Sequence, residues 1–329
     1  MIEAKAGVRA SAIAAAGVGL LIALAVIGYF NFGAVLAAMR PIGVGGFAAV
    51  VAAQLALFIP LGLAWWLVSL DGTAHAAAFI WGRLSREAAS DVLPFSQLGG
   101  VVIATRVAML GGVSLARASG ACVVDITFEI VAQIVYTLIG VGMLAHRLGI
   151  GGGDNALVAP VLGGLAIAAC LVAGFIATQR RGLRAVERLI DRLIPAAANH
   201  TAAVTQTIEQ AHGRPMRLWA CLGLHMVGWF GAAGGTWLIL GFIGHRMPFL
   251  SVVAIESLLF AIRNSAFVVP SGLGVQEGAY ALIGPLFGLP AEAALALSLL
   301  KRARDIGIGV PMLLVWQAAE SRRSLRGGG

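Results

Sequence analysis

Pro270-Ser271-Gly272-Leu273-Gly274-Val275-Gln276-Glu277-Gly278 is the stretch on which the reading of this chain turns. It lies between two apolar runs, Phe249 to Val269 and Ala279 to Leu289. Proline removes a backbone donor and clashes with the preceding turn, and three glycines weaken what is left, so a regular helix does not run through these nine residues. At membrane depth such a break leaves backbone N–H and C=O groups without helical partners. It is tolerated only where it is buried in protein or lines a wet cavity. Glu277 lies inside the break, and a carboxylate there needs a partner or water. The stretch predicts a broken helix or re-entrant hairpin that forms the floor of a polar site.

The rest of the chain places that break in a membrane. Hydrophobic residues make up 59% of the 329 residues and charged residues 12%, about half the charge of a soluble domain, and the mean hydropathy is +0.91. The length holds about seven or eight spans of ~20 residues. We read an all-α polytopic membrane protein, a single integral membrane domain over 1–329, with about seven transmembrane helices and two broken or re-entrant hairpins. The net charge of +8 gathers in loops, as expected of topogenic charge, and is no sign of nucleic acid. Cys122, Cys170 and Cys221 sit in apolar runs with no metal-ligand spacing, and read as small buried hydrophobes.

In chain order the expected spans are Ala12 to Phe30, Phe47 to Leu70 with Pro60 as a kink, Ser119 to Leu144, Val158 to Thr178, Leu218 to Ile243 and Phe249 to Val269, with a last span opened by Lys301-Arg302. Asp71 to Asp91 reads as a cytoplasmic loop or surface helix. Val92 to Ala118, with Pro94, Gly99-Gly100, Arg106 and Gly111-Gly112, reads as a pair of half-helices. Arginines alternate with aliphatics across Gln179 to Arg214, the pattern of a basic amphipathic helix on the inner leaflet.

The two interrupted regions share a plan. Pro94, Gly99, Gly111-Gly112-Val113 and a helix with Asp125 are answered by Pro270, Gly274, Phe287-Gly288-Leu289 and a helix with Asp305. Paired interrupted segments in two halves point to a transporter's midplane site. The expected repeat halves are 1–145 and 216–321, linked through a span and a basic amphipathic segment at 156–214.

Intramembrane charges complete the picture. Arg106, Arg263 and Glu277 are the leading candidates, with Asn264, Pro270, Gly272, Gly274 and Gly278 beside them as substrate-binding residues. Glu277, Glu256, Asp125, Glu129, Asp305 and Arg302 are the candidates for gating or carrying a proton. Asp125 and Glu129 share one helical face with Gln133. Glu256 and Arg263, seven residues apart, share another and are expected to meet one partner or one aqueous cavity. Arginine suits planar contact with phosphate, and half-helix N-termini add oriented amides. His225 reads as a packing residue. No catalytic residue, metal or cofactor is expected, since no H-E-x-x-H, P-loop or dinucleotide pattern occurs.

The nine-residue stretch resembles the P-x-G-[IVL]-G-x-x-E-G hallmark of the lysylphosphatidylglycerol synthase transmembrane family, the flippase-type membrane domain, and the order of segments agrees along nearly the whole chain. Length and texture are also similar to the short branch associated with hopanoid biosynthesis. The resemblance implies a multi-pass protein of the bacterial cytoplasmic (inner) membrane that moves or presents lipids. It carries Pro270, Gly272, Gly274, Glu277 and Gly278 over directly, and Arg106 and Asp125 more loosely. No soluble aminoacyl-transferase domain follows, so lipid aminoacylation is not implied. Gly99-Gly100 stands where the family often has Gly-Glu, against a symmetric two-carboxylate mechanism.

The expected function is therefore a lipid translocase, with membrane lipids as substrate and a homodimer as its assembly. An intramembrane lipid-modifying enzyme and a non-catalytic scaffold are the alternatives.

Overall fold

The structure is a computed structural model that describes residues 37, 39–69, 75–92, 96–147, 198–265 and 274–327, with backbone alone at 96–98, 198–201, 264–265 and 320–327. The expected spans at Ala12 to Phe30 and Val158 to Thr178, and most of the basic amphipathic segment, lie outside these residues. Among the described residues there are nine α-helices, a short 3-10 turn and no strand. The helices are α1 (Gly43–Ser69), α2 (Ala76–Val92), α3 (Ser96–Leu110), α4 (Leu115–Arg147), α5 (Ala198–His212), α6 (Pro215–Phe242), α7 (Phe249–Ser265), α8 (Val275–Leu286) and α9 (Ala291–Gly327).

Two stretches among the described residues, Arg40–Ser69 and Leu115–Arg147, are long and apolar enough to cross a membrane. Large apolar side chains stand on the surface, with Val44 89%, Met216 80% and Leu282 73% exposed. Water would reject that surface, while lipid tails accept it.

The chain forms two compact units. One comprises 1–56, 85–102 and 231–329, the other 57–84 and 103–230. In the second, small residues let helices meet backbone to backbone: a Cβ on Gly62 of α1 would lie 2.4 Å from Ile80 Cα of α2, and one on Gly120 of α4 would lie 3.0 Å from Val204 O of α5. Such small-residue contacts are how membrane helices gain packing without a hydrophobic drive. Tyr136 of α4 stacks on Trp229 of α6, with ring centroids 5.7 Å apart. The first unit packs α8 between α7 and α9, around the fully buried Ile255, Leu259, Tyr280, Leu295 and Leu297.

Three places differ from the sequence reading. Within Val92 to Ala118, read as a pair of half-helices, α3 runs unbroken through Gly99-Gly100 to Leu110, because glycine weakens a helix without removing a donor. The last helix begins at Ala291, not at Lys301. Pro290 stands just ahead of the helix, where its carbonyl accepts the Ala294 N–H at 2.9 Å, a place in which the missing proline donor costs nothing. Lys301 to Asp305 consequently lie well inside α9. The stretch Asp71 to Asp91, read as a loop or surface helix, contains α2, whose Arg83 and Ser85 are buried. Arg83 lies at that depth because α4 supplies its counter-charges.

Candidate functional site

The distal half of the nine-residue stretch is the start of α8. Gly274 has φ +76°, a backbone conformation that side chains resist, and it sits at the N-cap of the helix. Three residues on, Glu277 turns back and accepts the Gly274 N–H at 2.9 Å. This is half of a capping box: glycine has no side chain to return the bond, so only the carboxylate's half, to the N-cap N–H, is made. The G-x-x-E spacing is thereby explained by helix capping. Pro270 and Gly272 lie outside the described residues.

Glu277 is fully buried and surrounded by donors. Arg302 of α9 grips it with two contacts, Nε to Oε1 and Nη2 to Oε2, the latter at 3.1 Å. Ser298 Oγ donates to Oε1 at 3.2 Å, and Gln276 Nε2 donates to Ser298 Oγ at 3.0 Å. Two-point guanidinium contact is the strong form of this ion pair. The Arg302 side chain remains 18% exposed.

One residue earlier on α9, Lys301 enters a drier pocket. Its Nζ donates to Glu256 Oε2 of α7 at 2.7 Å, to the Tyr280 hydroxyl at 2.8 Å and to Thr236 Oγ1 at 3.3 Å. Tyr280 in turn donates to Glu256 Oε1. The ammonium also lies 5.6 Å from the centre of the Phe260 ring. Three oxygens and a π face satisfy a charge that the interior would otherwise reject.

Arg263 does not share a partner with Glu256. Its Nη2 meets Asp91 Oδ1 of α2 at 3.2 Å, with both side chains about one quarter exposed (25% and 24%). The common helical face was read correctly, but seven residues are about 10 Å of helix, and each charge finds its own counter-ion. Asp305 accepts from Arg304, its neighbour in sequence, at 2.7 and 2.9 Å. The side chain of Asn264 lies outside the described residues.

The second unit holds a separate network. Arg83 of α2 spans Glu129 of α4, with Nη2 to Oε1 at 2.6 Å and Nη1 to Oε2 at 3.0 Å, and its Nη1 lies 3.7 Å from Asp125. His225 of α6 meets Asp125 through Nε2 at 2.9 Å, so it is more than the packing residue expected. Cys221 stands one turn before it, and the ligand atoms of Asp125, Cys221 and His225 all lie within 4.8 Å of one another. Thiolate, imidazole and carboxylate are donors that zinc accepts. Here, however, the Arg83 cation already attends the carboxylate and His225 Nε2 is already bonded to it, so the geometry is that of a charge network. Arg106, half-buried on α3, belongs to this unit, whereas Arg263 and Glu277 belong to the other.

The sequence alone does not single out Arg83, Asp91, Thr236, Tyr280 or Ser298, and it places Lys301 at a helix start that the structure puts at Ala291. Tyr280 carried a signal, since it follows Glu277 by three residues in an apolar helix. Cys221 and His225 carried another in their four-residue spacing. Arg83 and Asp91 carried none, because they lie in a segment whose charge density reads as solvated.

A family model described as Lysylphosphatidylglycerol synthase TM region matches residues 13–310. No curated protein and no solved structure matches the chain.

Proposed function

The chain belongs to the lysylphosphatidylglycerol synthase TM region family, and from that membership we propose that it is a lipid translocase of the bacterial inner membrane, carrying a polar-headgroup lipid, hopanoid-related in our reading, between leaflets. The observation that carries this reading is the Glu277–Arg302 pair. A two-point guanidinium contact sits at the start of a helix, with its carboxylate buried and its cation 18% exposed.

The chemistry follows from the pair. A headgroup phosphate offers Arg302 the same planar pair of oxygens as Glu277 does. Exchange of one anion for the other moves a charge without leaving the guanidinium bare. Glu277 loses its cation in that exchange, yet keeps the Gly274 N–H and Ser298 hydroxyl as donors, and a proton on the carboxylate stabilises the released state. Arg263, paired with a part-exposed Asp91, offers a second exchangeable cation in the same unit.

The test is transbilayer movement of a fluorescent phospholipid in vesicles containing the purified protein, read by quenching of the outer leaflet. Wild type is expected to expose inner-leaflet lipid to the quencher, and Arg302→Ala to slow that exposure while still eluting as a single species. Wild-type vesicles indistinguishable from protein-free ones would sink the reading. A chemically altered lipid recovered from the vesicles would favour the enzyme instead.

A further inference from the structure

Helix boundaries in the two halves keep a similar displacement, between 172 and 180 residues over the eight of them. It is 173 residues from Ser69 to Phe242 at the ends of α1 and α6, and 173 again at both ends of α2 and α7, Ala76 to Phe249 and Val92 to Ser265. It is 176 from Leu110 to Leu286 at the ends of α3 and α8, and 176 from Leu115 to Ala291 at the starts of α4 and α9. The turns between the last two helices also correspond. Gly112 has φ +90° and Gly288 has φ +84°. After each, the next N–H reaches five residues back, Val113 to Ala108 O at 3.2 Å and Leu289 to Gly284 O at 3.0 Å, the closing bond of a Schellman turn.

The same displacements carry Arg83 on the second helix to Glu256, and Asp125 on the fourth helix to Lys301. Both pairs are buried ion pairs: Arg83–Asp125 at 3.7 Å, beside the closer two-point contact of Arg83 with Glu129 one turn on, and Lys301–Glu256 at 2.7 Å. We infer that the chain carries one four-helix unit twice, and that the ion pair joining the second and fourth helices is a latch that each copy keeps with its charges exchanged. The sequence pairing of Asp125 with Asp305 is then one helical turn out of register, since 176 residues take Glu129 to Asp305.

Exchange is physically open at this place. Coulomb attraction is unchanged when two charges trade sites. Two of the remaining partners in the second copy are the hydroxyls of Tyr280 and Thr236, which can turn to donate or accept; the third is the Phe260 face, which favours the cation at 301. The Glu277–Arg302 pair has no such freedom. Gly274 N–H is a donor only, so a cation at 277 would leave the N-cap unsatisfied and face it with like charge.

The experiment gives the second copy the polarity of the first in the full-length chain. Glu256→Arg and Lys301→Asp are made singly and together, with Glu277→Arg and Arg302→Asp as the control pair, and monodisperse yield in detergent is measured by size exclusion. Each single reversal is expected to lower the yield at least tenfold. The Glu256→Arg/Lys301→Asp double is expected to recover at least half of wild type, while the control double stays as low as its singles. A 256/301 double no better than its singles would overturn the latch, and recovery of both doubles would overturn its restriction to the repeated register. Neither outcome depends on lipid movement, so the translocase reading stands or falls separately.

Discussion

On α9 Lys301 and Arg302 follow one another, about 100° apart around the helix axis, and each meets a carboxylate. The Lys301 and Glu256 side chains are 6% and 0% exposed, and those of Arg302 and Glu277 are 18% and 1% exposed. The first pair is closed in by Tyr280, Thr236 and Phe260; in the second the carboxylate is enclosed and the cation is not. A pair buried on both sides cannot lose a member without stranding a charge. A pair with one accessible member can trade partners. Neighbouring residues of the same charge thus sit in different surroundings, one enclosed between helices and the other part-exposed, and the proposed translocase uses the second.

That division can be broken by experiment. The largest effect is expected from Lys301→Ala, which leaves Glu256 buried with Tyr280 as its donor; a stranded buried charge costs about 3–5 kcal/mol, and the thermal midpoint in detergent should fall accordingly. If Arg302→Ala lowers that midpoint more than Lys301→Ala does, the assignment of roles is reversed. Gly274→Ala comes next. A positive-φ site forced on alanine costs about 1–3 kcal/mol, visible in the same thermal scan, and an unchanged midpoint would show that the cap tolerates another conformation.

Arg302→Ala itself is expected to slow lipid movement by roughly tenfold or more, the equivalent of about 1.4 kcal/mol. Arg302→Lys should fall between it and wild type, because an ammonium lacks the two-point grip. Retention of full activity in Arg302→Ala would remove this residue from the transport path. The smallest effect should come from Gly278→Ala. Nothing lies within 4 Å of the added methyl, and alanine favours a helix by about 0.5–1 kcal/mol over glycine, so the midpoint should hold or rise slightly. Loss of lipid movement without loss of stability in that variant would instead show that the space beside Gly278 is used in transport.

Much of this architecture was legible beforehand. Apolar runs marked α1, α6 and α7 to within a few residues, because hydrophobic length is a local property of sequence. The glycine turns after α3 and at the start of α8 were legible too, since a positive φ is written in residue type. The partners were not. Glu256 and Arg263 share a face and still go to different counter-ions, because the choice depends on what α9 and α2 place opposite them. Arg83 was invisible as a site residue, because a charged segment reads as solvated until another helix brings Glu129 and Asp125 to it.

The sequence by itself determined that the chain is helical and apolar, that a helix ends ahead of Gly111-Gly112, and that Glu277 stands three residues after a glycine able to cap its helix. These follow from bonding and sterics within one turn of backbone. Only the tertiary structure decided which carboxylate each cation holds and how far each pair is closed off, because both depend on side chains brought together across tens to more than a hundred residues of chain. Burial is what separates the enclosed Lys301–Glu256 pair from the part-exposed Arg302–Glu277 pair, and burial is a property of neighbours.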